Sequence, residues 1–148
     1  MGSMISSRKL DFVVVCLVNL INVVMVFLFL ARILFLYPVF KDFLGIVSMV
    51  MGFSLGYIAF INWRNGRDKW EIYLLIPVFL FSIVGLLLDY IFRIDFRNTA
   101  LVGPYILFYY VGLWGLIGYV FRFDKKWGFV TLFTYFLNMI LSVLQHFI

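Results

Sequence analysis

The stretch RDKWEIYLLIPVFLFSIVGLLLDYIFR, residues 67–93, decides the fold class. Residues 72–88 of it carry no charge. A helix rises about 1.5 Å per residue, so roughly 20 apolar residues cross a hydrocarbon layer of about 30 Å. Residues 72–92 meet that length with one charged side chain, Asp89, near the far end. A soluble surface helix would show a polar face, and this stretch has none. A barrel strand would run about 9–11 residues and alternate, and it does neither.

The same pattern recurs outward from this stretch. Runs at 12–36, 43–61, 100–121 and 128–147 are also long enough to cross and mostly apolar. The expectation is an all-α, polytopic integral membrane protein: a five-transmembrane-helix bundle in a single domain over 1–148. Met1-Gly2-Ser3 reads as an expression remnant before Met4 and is set aside. The first run is too long for a signal-peptide core and lacks a small-residue cleavage site, so it reads as a retained span. Pro38, in LYPVFKD, is read as ending it.

Composition agrees. Of the 148 residues 66% are hydrophobic, 22% aromatic and 13% charged. Soluble domains average about 45–50% apolar and about 25% charged. The net charge of +5 sits in short clusters between spans, with no basic stripe of a nucleic-acid binder. No nucleic-acid partner is expected. The single cysteine, Cys16, excludes an intrachain disulfide.

Basic residues also set an expected orientation. Arg8, Lys9, Arg64, Arg67, Lys69, Arg122, Lys125 and Lys126 fall on one side, and Lys41, Arg93 and Arg97 on the other. Eight against three predicts a cytoplasmic N-terminus and an outside C-terminus, in a plasma (inner) membrane. Trp63, Trp70 and Trp127 fit an aromatic belt at the basic side.

Small residues line two spans. Ser48, Gly52 and Gly56 recur every four residues in the second, and Gly112, Gly115 and Gly118 every three in the fourth. Such faces let helices approach closely. They serve packing inside one bundle or an interface between copies, a homo-oligomer. A faint repeat sets Trp70 on Trp127, Phe79 on Phe136 and Asp89 on His146, as if spans two and three were copied in four and five.

Charged side chains inside a span cost at least about 2.5–3.5 kcal/mol at its centre and are functional candidates. Arg32 and Asp89 lie at similar depth near the outer ends of spans that run the same way. His146 and Gln145 end the fifth span at that level, and Tyr105 opens the fourth. Arg32, Asp89, Tyr105 and His146 are therefore the candidate ligand-binding set, with an Arg32–Asp89 pair at its base. The alternative has Arg32 snorkelling to the headgroups and Asp89 pairing with Arg93. Asn19, Asn22 and Asn138 read as interhelical hydrogen-bonding groups. Pro77 and Pro104 free backbone carbonyls, either as kinks or as ligand-facing breaks.

One histidine cannot build a bis-histidine haem or a multi-histidine zinc site. No GxSxG, P-loop or HExxH is present. No cofactor or metal is implied. The leading expectation is binding without catalysis: a membrane lipid or small amphipathic ligand in an outer-leaflet intramembrane pocket, with a transport-related role. The first rival is a membrane-embedded enzyme acting on a lipid through Asp89 or His146. The second is a structural subunit of a membrane complex, joined through the glycine faces.

Overall fold

A computed structural model describes residues 7–34, 37–94, 99–145 and 147. Met1-Gly2-Ser3, Arg97 and His146 lie outside the described residues. In hydrocarbon every backbone N–H and C=O must be satisfied within the segment, so apolar spans are forced into helices. Among the described residues all regular structure is helical. Five helical stretches are long and apolar enough to cross a membrane: Arg8–Ile33, Pro38–Arg64, Lys69–Ile91, Val102–Phe123 and Lys125–Leu144.

Helix α1 is Ser7–Ile33 and α2 is Pro38–Arg64. Pro38 thus opens the second helix, five residues earlier than the sequence suggested. The physical reason is that a first-turn residue needs no N–H partner, and proline's φ already fits a helix. Gly66, at φ +64°, turns the chain back. A short helix α3, Lys69–Tyr73, follows, its first turn capped by Asp68, which accepts from Trp70 N.

The third span is not one helix. It breaks at Leu74–Leu75, resumes as α4, Ile76–Gly85, and widens into a π-helical segment over Leu86–Ile91. Pro77 lies in the first turn of α4. It has no N–H to return to the carbonyl four residues back, so the helix cannot run through. Phe92 N donates to Leu87 O at 2.8 Å, the five-residue step of a π turn. Arg93, at φ +49°, then ends the element in the left-handed region.

Helix α5 is Val102–Phe123, and α6 is Lys125–Leu144. Pro104 sits in the first turn of α5, where no intrahelical donor is required, so it makes neither kink nor break. Asp124, the one residue between the two helices, accepts from Lys126 N and Trp127 N and caps α6. Spans three and five thus both start with an Asp cap and a tryptophan, but only span three is broken.

The five spans form a ring in chain order. Helix α1 packs on α2 and α6, α4 on α2 and α5, and α5 on α6, so the last helix closes on the first. The glycines explain how the broken span fits. A Cβ at Gly52 would collide with Ser82 Oγ, and one at Gly56 with the Phe79 ring. From the other side, a Cβ at Gly112 would lie 2.9 Å from Val78 Cγ2, and one at Gly115 2.6 Å from the Leu74 carbonyl oxygen. The third span is therefore gripped between two glycine faces. Gly118 differs, with only ordinary contact to Leu74 at 3.8 Å. Ser48 bonds within its own helix, to Gly45 O at 2.7 Å.

The ring is packed unevenly. At its basic end, where α1 begins and α2 ends, Val14, Val15 and Val18 meet Leu55, Leu75, Leu116 and Val120, all fully buried. The buried residues of α5 all lie at or beyond Gly112, and the π-helical segment has none. Between α1 and α6 runs a polar seam. Asn138 Nδ2 donates to Asn22 O at 3.2 Å, Asn22 Nδ2 to Thr134 Oγ1 at 3.0 Å, and Thr131 Oγ1 to Asn19 Oδ1 at 3.3 Å.

Candidate functional site

The loosely packed end holds a cavity of about 710 Å³, lined from all five spans. Its walls follow one register. On α1 the lining residues Ile21, Met25, Leu28 and Arg32 are spaced 4-3-4. On α2 Pro38, Asp42, Gly45 and Met49 repeat that spacing, and on α5 Val102, Ile106, Tyr109 and Leu113 do so again. Spacings of three and four keep side chains on one helix face. On the third span Val78 and Ser82 line the cavity and Asp89 ends the stripe. Between them Gly85 is buried, and a Cβ there would lie 3.1 Å from Met49 Cε and 3.3 Å from Tyr105 Oη.

Each stripe covers eleven residue steps, so the cavity reaches roughly 16 Å inward, about half of the hydrocarbon layer. Polarity changes along it. Ile21, Val78 and Leu113 lie deep; Arg32, Lys41, Asp42, Asp89 and Gln145 lie near the mouth. An aromatic wall lies between. The Phe81 ring is 4.8 Å from Tyr105 and 5.2 Å from Tyr109, centroid to centroid. Tyr90 reaches across Gly45, its hydroxyl 3.4 Å from the Asp42 carbonyl, and ties the π-helical segment to α2 at the mouth. The π turn matters here, since such turns re-aim side chains and recur at functional sites.

Three of the four candidate residues, Arg32, Asp89 and Tyr105, therefore share this cavity, together with Ser48 and Gln145. The fourth, His146, lies outside the described residues. Arg32 and Asp89 share this wall, while ion pairs at the other end of the ring join Arg67 to Asp11, Arg67 to Glu71 and Arg122 to Asp68. The Arg32 guanidinium lies 6.0 Å from the centroid of the Phe29 ring. Among the described residues no cluster of three metal-ligating side chains occurs.

Those ion pairs mark a second site, at the basic end, that the sequence reading missed. Arg67 meets Asp11 through two hydrogen bonds of 2.8 and 2.9 Å, with both side chains 13% exposed. Tyr119 Oη donates to Asp11 Oδ1 at 2.8 Å. Arg67 also donates to Asn62 Oδ1 at 3.2 Å. Glu71 Oε2 lies 2.7 Å from Arg67 Nε, out of line with its N–H, so that contact is ionic rather than a hydrogen bond. Burial pushes the Arg67 guanidinium down, but the hydrogen bond to Asp11 and the surrounding acidic groups outweigh it and hold it above its ordinary value. Its proton is thus bound more tightly in the fold than in the unfolded chain. The stabilisation is complete at all ordinary pH and is lost only in strong base. By contrast Arg122–Asp68, at 3.0 Å, is about half exposed and contributes little.

The missed signal was a register. Asp11 begins the inward stripe of α1 that continues through Val14, Val18 and Ile21. A carboxylate on a buried stripe needs a partner. By its place in a basic cluster, Arg67 reads from sequence only as a topology charge.

No family model, curated protein or solved structure matches this chain.

Proposed function

We propose that the protein binds a small amphipathic molecule or lipid within the membrane, with its apolar part in the cavity and its polar group at the mouth. One observation carries this: the polarity gradient of a cavity of about 710 Å³, apolar at depth and charged at its opening. Sites for small organic ligands span about 300–1,000 Å³ and combine apolar walls with a few placed polar groups. The basic end belongs in the cytoplasm by the distribution of Lys and Arg, which opens the cavity toward the outer leaflet of a plasma membrane. A transport role follows if the ligand leaves by a different route than it enters.

Native mass spectrometry after extraction in mild detergent tests the binding. The expected result is a co-purifying small amphiphile that is lost in Ser48→Phe and Met25→Trp, which fill the cavity. Adducts unchanged in both variants would place the ligand elsewhere and remove the cavity from function. Orientation is read by cysteine labelling from outside, in a Cys16→Ser background. Thr99→Cys should react and Asn65→Cys should be protected; the reverse pattern inverts the topology.

A further inference from the structure

One polar group on the cavity wall is left over. Tyr109 lines the cavity, and its hydroxyl oxygen is buried with no hydrogen-bond partner among the described residues. Two other buried oxygens share that state among the described residues, but neither lines this cavity. Glu71 Oε2 sits in the ion pair with Arg67, and the Asn138 amide already donates to Asn22. Other hydroxyls on the same walls are satisfied locally. Ser48 and Ser82 donate to carbonyls of their own helices, Gly45 O at 2.7 Å and Val78 O at 2.9 Å. A tyrosine hydroxyl, held a ring's width from its own backbone, has no such local bond.

Packing does not account for this hydroxyl. The Tyr109 ring is 5.2 Å from Phe81 and 5.3 Å from Tyr110, centroid to centroid. Phenylalanine would keep those ring contacts without an unpaired donor. A donor left unpaired away from water is costly, and an unused lone pair less so. What the group lacks is an acceptor.

Depth decides the chemistry of that acceptor. On the α5 stripe Tyr109 comes seven residues after Val102 at the mouth and four before Leu113 at the floor. At about 1.5 Å per residue it lies roughly 10 Å below the mouth. Ile21, Met25, Val78 and Leu113 line the same lower half. A charged acceptor among apolar side chains would lose its hydration at great cost, and a neutral carbonyl oxygen loses far less. Because the hydroxyl is covered, a partner reaches it by displacing neighbours slightly. Met25 and Met49 are part of the lining, and methionine repacks readily.

We infer that the ligand carries, besides its polar end, a neutral carbonyl oxygen within its apolar body, roughly 10 Å deeper, and that Tyr109 donates to it. This rests on the binding reading above and deepens it, making Tyr109 a specificity-determining residue. A plain alkyl chain fills the same space but leaves the hydroxyl unpaired.

The experiment measures equilibrium binding of uncharged alkylglycerols of one chain length to the intact protein in nanodiscs. One probe has a plain chain, and the others carry a single ketone at successive carbons. Affinity should peak at one ketone position or two adjacent ones, about tenfold above the plain chain. Tyr109→Phe should flatten the series to within about threefold and leave the plain chain's affinity unchanged. Without ligand, Tyr109→Phe should melt no lower than the unaltered chain, because the hydroxyl holds nothing in the fold. A flat series in the unaltered protein, or the same peak in Tyr109→Phe, would overturn the inference and leave the binding cavity standing. A lower melting point of ligand-free Tyr109→Phe would also overturn it, since the hydroxyl would then be paired within the fold. No binding of any probe, plain chain included, would instead overturn the binding reading itself. If Tyr109→Phe fails to fold, the ketone series on the unaltered chain still decides.

Discussion

Helix α1 carries a charge at each end of one inward-facing stripe, and the two ends meet opposite fates. Asp11 opens the stripe and is sealed by Arg67 and Tyr119 at 2.8–2.9 Å. Arg32 closes it, solvent-exposed, on the wall of a wide cavity. Between them the stripe passes from full burial at Val14 and Val18 to partial exposure at Met25. The same backbone geometry thus yields a clamp at one end and an opening at the other. What differs is the neighbour. At the basic end α2, α3 and α5 each bring a polar or charged partner toward Asp11 and Arg67. At the other end the third span has widened into a π helix and α5 has no buried residue before Gly112. Buried packing is concentrated at the basic end of the ring, and the proposed binding at the other end rests on that difference.

The largest effect should come from breaking the clamp. Asp11→Asn or Arg67→Gln alone leaves a mostly buried charge with part of its partners, Glu71 for Arg67 or Tyr119 for Asp11, and should cost roughly 2–4 kcal/mol, somewhat below the loss at a fully buried pair. The double variant replaces the pair with neutral amides and should recover part of that loss. A double-mutant cycle on thermal unfolding in detergent reads the coupling. Strictly additive losses would mean that the clamp is only packing, and that the two ends differ less than their geometry shows.

Next comes the grip on the third span. Gly115→Ala would drive a Cβ to 2.6 Å from the Leu74 carbonyl oxygen, a backbone atom with little room to yield. We expect a loss of about 1–3 kcal/mol. Gly118→Ala, one turn on, meets only ordinary contact at 3.8 Å. It should be neutral, or gain up to about 1 kcal/mol from helix propensity. Equal effects at the two positions would mean that α5 does not hold the break at Leu74–Leu75. Smaller still is the α1–α6 seam: Asn138→Leu removes two hydrogen bonds to Asn22, worth roughly 0.6–2 kcal/mol, read on the same melts.

Much of this is written in the chain, but unevenly. Hydropathy reports how far a segment can go in lipid, so all five spans were legible. So was the shared depth of Arg32, Asp89 and Tyr105, because depth is only a count of residues. The glycine rows were visible as patterns, but their partners were not: one sequence spacing fits a neighbour within the bundle or a second copy. Pro38 misled because proline stops one helix and starts another with equal ease. The π turn before Arg93 left no sequence signal that we recognise. Asp11 was passed over because it sits one residue before the apolar run at Phe12, where a charge looks like an ordinary helix end. Only its phase with Val14 and Val18 marks it as buried.

The smallest stability effect is expected at the cavity mouth, and it bears most directly on function. Arg32 is exposed and Asp89 partly so, in a region with little buried packing. Arg32→Gln and Asp89→Asn should each change stability by only about 0–1 kcal/mol, as exposed charges do. The same kinds of substitution at Arg67 and Asp11 should cost several times more. The measurement is the melting of all four variants side by side, in detergent and without added ligand. If the mouth variants lose as much as the clamp variants, the mouth charges hold the fold together, and the cavity is a gap between two clamps. If they melt like the unaltered chain, their charges are not retained for folding. That outcome would favour the proposed binding role for the mouth charges over a purely structural one.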